Sequence, residues 1–78
     1  SNKAGAGEVI AASSGDTVII TDILTSAATT ISTAAAGAGT IIAYAPAGAS
    51  NLNQAIAVPT SSSVFSSAGN VTINHYII

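Results

Sequence analysis

The chain has 78 residues, of which 49% are hydrophobic and 5% charged, with a net charge of −2 and no Cys or Met. One basic residue leaves no electrostatic footprint for nucleic acid, and the missing cysteines exclude disulfides and thiol chemistry. One His and three carboxylates are too few for a closed structural metal site within one chain.

At this length there is room for a single domain with a small core. Chains of this size usually need disulfides, a metal or oligomerisation for stability, and here oligomerisation is the route left. A charged fraction far under the roughly 25% of ordinary soluble domains points the same way, to a surface partly buried against neighbours. Half the residues being hydrophobic argues against disorder. Every apolar run is broken by Thr, Ser, Gly or Pro well short of the roughly 20 residues that span a bilayer, so no membrane partner is expected. No signal-peptide pattern is visible, and Ser at position 1 fits removal of an initiator Met.

Residues 1–7 (SNKAGAG) are small, polar and Gly-rich and predict a flexible N-terminal arm, with residues 8–78 as one β domain. Residues 8–12 predict a short strand, closed by the turn cluster Ser13-Ser14-Gly15-Asp16. The longest β-branched run follows, from Thr17 to Leu24. Strict alternation puts Val18, Ile20 and Leu24 on one side and Ile19 and Ile23 on the other. A strand apolar on both sides wants cover on both, and a second subunit is the simplest source of the second cover.

Residues 29–33 predict a weak edge strand. The alanine-rich stretch over residues 27–36 holds four Thr or Ser and no charge, so strand or loop is expected there rather than helix. Residues 40–45 predict a strand ended by Pro46, residues 49–54 a polar connection, and residues 55–58 a strand ended by Pro59. Residues 64–67 predict a short strand or turn. Ala68-Gly69-Asn70 is a turn signal before a last strand over residues 71–78, whose Tyr76-Ile77-Ile78 ending would fray unless paired. Six or seven short strands with turns between them predict an all-β fold, a small antiparallel sandwich or barrel of jelly-roll type.

Chemistry is sparse. His75, Asp22 and a serine compose a triad on paper, but no nucleophile elbow accompanies them, so no enzyme and no cofactor are expected. His75 falls in phase with Val71, Ile73 and Ile77 and reads as a half-buried subunit contact; copies around an axis could also ring a metal or anion. Asp22 interrupts an apolar face with only Lys3 as a cation in the chain, so it needs water, backbone donors or a neighbouring subunit. Asp16 reads as a turn cap, and Glu8 and Lys3 as solvated charges. Gly5-Ala6-Gly7 and Gly37-Ala38-Gly39 lack the context of a phosphate loop, and Asn70-Val71-Thr72 is a bare glycosylation sequon. The candidate subunit-interface residues are Asp22, His75, Tyr76, Ile77 and Ile78.

Three stretches, VIITDILTSAATTISTAAA, TIIAYAPAG and AGNVTINHYII, carry a resemblance. A strand with a T-D-I step, a Pro-interrupted strand and a closing G-x-V-T-type strand resemble small virion proteins of tailed bacteriophages, marine and cyanobacterial ones in particular. The resemblance implies a virion location and a capsid decoration or cement protein, a homo-oligomer with the trimer favoured, touching the major capsid protein or other virion subunits. A fibre or tail module assembling by strand addition is the alternative. The Thr- and Ala-rich faces leave an ice- or surface-binding module as a third expectation.

Overall fold

The computed structural model describes residues 1–34 and 39–78, with the backbone alone over 49–53. Among the described residues eight strands run in chain order: β1 (Asn2–Lys3), β2 (Gly7–Ile10), β3 (Val18–Thr25), β4 (Thr29–Ser32), β5 (Ile41–Ala45), β6 (Gly48–Ala57), β7 (Val64–Ser66) and β8 (Val71–Ile77). They form two four-stranded antiparallel sheets, one ordered β1-β8-β3-β6 and the other β2-β7-β4-β5. Each strand of the first half pairs with its mirror in the second: β1 with β8, β2 with β7, β3 with β6 and β4 with β5. The chain is thus one antiparallel ribbon, turned back between β4 and β5 and rolled so that successive ribbon segments alternate between the sheets.

The core lies between the sheets and is almost wholly β-branched, with Val18, Ile20, Ile23, Val71 and Ile73 from one sheet and Ile31 and Val64 from the other, all nearly inaccessible. Such side chains suit a pleated surface, where their restricted rotamers cost little on burial. Burial of a Val or Ile of this kind is worth about 1.5–3 kcal/mol each, and eleven of them are buried among the described residues.

Strand β3 departs from strict alternation. Thr21 is an extra residue between Ile20, which opposes His75, and Asp22, which opposes Asn74. This bulge reverses the phase of the strand. Ile23 and Thr25 therefore join Val18 and Ile20 inside, while Asp22 is half-buried on the outer face and Leu24 is 51% exposed there. The expected grouping of Leu24 with Val18 and Ile20, and of Asp22 with that face, is corrected accordingly. A polar residue with one spare backbone position at mid-strand is what lets the later half of β3 bury Ile23.

Three boundaries also differ. The segment expected as an arm carries β1 and the first residue of β2; Ser1 exchanges two hydrogen bonds with Ile73, donating at 2.7 Å and accepting at 2.8 Å. The expected polar connection over residues 49–54 is part of β6, paired to β3 through Asn51 opposite Asp22. Eight strands replace the six or seven expected, because two-residue β1 carries no apolar signal at all. The expected break over residues 34–39 lies mostly outside the described residues, as do Gly37 and Ala38.

Candidate functional site

Two sparsely charged outer faces and one strand edge make up the surface that could meet a partner. On the β1-β8-β3-β6 sheet, the rows across the outer face follow from register. Ile19 sits between Tyr76 and Ala57, Asp22 opposes Asn74, and Leu24 opposes Thr72. Ile19 is only 7% exposed yet stands apart from the inter-sheet core, so it is covered from its own face. The bulge holds Thr21 with its hydroxyl donating to the Asn74 carbonyl at 3.0 Å. Among the described residues, Asp22 accepts one long hydrogen bond, 3.5 Å, from the Asn74 amide. Thr72 donates to the Asn2 side chain at 2.7 Å, fastening β1 to this face.

The end of β8 and the residue after it carry three consecutive exposed apolar side chains, Tyr76, Ile77 and Ile78. Their backbone does not fray, because Ile78 donates to Thr17 at 3.0 Å and accepts from it at 3.1 Å. Pairing holds the strand extended while leaving its side chains open. His75 is half-buried opposite Ile20, with Nδ1 3.5 Å from the Ile73 carbonyl. Three of the five sequence-chosen contact residues are thus consecutive on β8, Ile78 follows directly, and Asp22 lies one row away on the same sheet.

Sequence reasoning missed the outer face of the second sheet. There Glu8, Phe65, Ser32 and Ile41 form a cross-strand row, and Tyr44, 74% exposed, opposes Thr30. Alternation along TIIAYA was the available signal, but an extra residue between Ser32 and Ile31, Ile42 on β5, shifts the phase. An open depression of about 480 Å³ lies where Lys3, Leu24, Ser26, Asn70 and Thr72 meet. Asn70 ties its rim together: the side chain accepts from the Gly5 N–H at 3.1 Å, its N–H donates to the Ser26 hydroxyl at 2.8 Å, and its carbonyl accepts from the Ser26 N–H at 3.0 Å.

Reactive groups do not converge. Asp22 and His75 point to opposite faces of the sheet, and among the described residues no three His or carboxylate side chains gather closely enough to hold a metal ion. The surface offers open apolar area for burial and strand backbone for pairing. No protein-family model, no curated protein and no solved structure matches the chain.

Proposed function

We propose that the chain is a small jelly-roll structural protein of a virion, a decoration or cement protein that stabilises a phage head through contacts with its own copies and with capsid subunits. The observation that carries the reading is the set of large apolar side chains left open to solvent, Tyr76, Ile77 and Ile78 above all, in a chain with four charged residues. A monomer gains nothing from exposing them; a lattice subunit gains about 25 cal/mol for each Å² of apolar area it covers. Many such weak contacts across a shell add up through avidity.

Two further points support it. The mirrored ribbon pairing, with orders β1-β8-β3-β6 and β2-β7-β4-β5, is the strand arrangement of a two-sheet jelly roll. That architecture is shared by viral shell proteins and by lectins and cupins, so it narrows the setting by analogy only. The phage-like stretches fall on β3, β4, β5 and β8, the strands that bear most of the open apolar residues.

The test is sedimentation of the purified chain alone and with head shells of the phage that encodes it. A compact oligomer that pellets with the shells supports decoration. A monomer left in the supernatant overturns it. The fibre or tail reading draws on the open end of β8, and long polymers in the absence of shells would favour it instead.

A further inference from the structure

We propose that two copies of this chain join edge to edge and antiparallel through β8, about a two-fold axis at Tyr76. The inference rests on the assembly role above and names its surface and its symmetry, a two-fold in place of the three-fold that the resemblance implies.

The direction of the backbone groups of β8 follows from its known bonds. Ile78 exchanges both of its hydrogen bonds with Thr17, on the β3 side. Ile73 exchanges both of its own with Ser1, on the side away from β3. Backbone groups alternate sides along a strand. Tyr76 and Ile78 therefore bond to β3, while the N–H and C=O of His75 and Ile77 point to the opposite edge. β1 covers that edge only beside Ile73, Thr72 and Val71, and among the described residues no other strand pairs there. Beyond β1 the sheet ends in a short row of donors and acceptors flanked by exposed Tyr76 and Ile77.

A second copy fits this edge because the edge is complementary to itself. With the axis at Tyr76, His75 of each copy opposes Ile77 of the other, and the two pairs exchange four N–H···O bonds. Tyr76 then faces its own counterpart in a non-hydrogen-bonded pair, where side chains approach most closely and rings can stack beside Ile19. Residues 70–78 carry no charged side chain, so two copies meet without like-charge repulsion. The edge also lacks the Lys or Pro with which native edges block such pairing. The product is one continuous sheet with the central order β6-β3-β8-β8-β3-β6.

Cysteine placement reads the register directly, since the chain has none of its own. In the proposed pair the two Tyr76 Cα atoms stand about 4.5 Å apart, within disulfide reach. Mild oxidation of Tyr76→Cys should convert nearly all of it to a covalent dimer, while Leu24→Cys, on the same face and equally open, stays uncrosslinked. Ile77→Pro removes an edge N–H without touching the β3 ladder. It should lower the sedimenting mass to that of the monomer while the β-type circular dichroism is kept. Crosslinking of Tyr76→Cys no faster than of Leu24→Cys, or an unchanged mass for Ile77→Pro, overturns the β8 pairing. If the unmodified chain is still oligomeric in that event, assembly stands and uses another surface; if it is a monomer, both readings fall.

Discussion

Ser66 and Thr29 are both buried hydroxyls of the β2-β7-β4-β5 sheet, and they should answer mutation with opposite signs. The Thr29 hydroxyl accepts from the Ser67 N–H at 3.0 Å and the Ala68 N–H at 3.2 Å, closing the turn after β7. Thr29→Val strands both donors and should cost about 1–3 kcal/mol. The Ser66 hydroxyl is buried with no partner among the described residues. Ser66→Ala removes a desolvated group and should raise stability by about 1 kcal/mol, which urea melts of the two variants would read as midpoints moving in opposite directions. Asp22 is a third case. With one long bond from Asn74 and an outward position, Asp22→Ala should change the stability of the monomer by less than about 0.5 kcal/mol. A loss that appears only at high protein concentration would place Asp22 in a subunit contact, and a loss of more than about 1 kcal/mol at every concentration would mean that the Asn74 contact is stronger than its geometry implies.

The turns between strands separate two kinds of glycine. Gly69, between β7 and β8, has φ +75, and a Cβ there would sit 3.0 Å from the Ala27 nitrogen and 3.0 Å from the Thr25 hydroxyl oxygen. Gly15, between β2 and β3, has φ +88 with open space around it. Gly15→Ala should therefore cost about 1 kcal/mol from the backbone alone, and Gly69→Ala on the order of 2–3 kcal/mol because the clash is with another turn as well. Equal thermal shifts for the two would remove the packing argument. Both turns were legible as Gly-Asp and Gly-Asn signals, as were β5 and β8, whose β-branched runs stand between clear breakers. The phase of β3 was not legible. A bulge is a decision of pairing, made when Ile23 meets Ile73 across the ladder, and no residue type announces it. β1 was hidden for a related reason: two polar residues become a strand only because β8 offers an edge. The contact residues on β8 could be chosen from the sequence because large apolar groups at an unprotected strand are visible without any pairing; Phe65, Ile41 and Tyr44 could not be assembled into one face until the register of three strands was known.

A sandwich this small and this neutral has to draw its cohesion from burial, within the subunit and between subunits alike. Four charged side chains are spread over 78 residues, and the outer faces that the register exposes are lined by Ile, Tyr, Leu, Thr and Asn rather than by ion pairs. Screening then has little to act on. The Debye length falls from about 10 Å at 0.1 M salt to about 3 Å at 1 M, which would loosen an assembly held by complementary charge and leave one held by apolar area and backbone pairing untouched. Sodium chloride raised over that range should move the melting temperature by less than about 2 °C and leave the sedimenting mass as it was. Ammonium sulfate should raise both, because sulfate is excluded from protein surface and strengthens burial. An assembly that dissociates as sodium chloride rises would show that the few charges, Lys3, Glu8, Asp16 and Asp22, hold the subunits together, and would sink burial as the organising force of the assembled state.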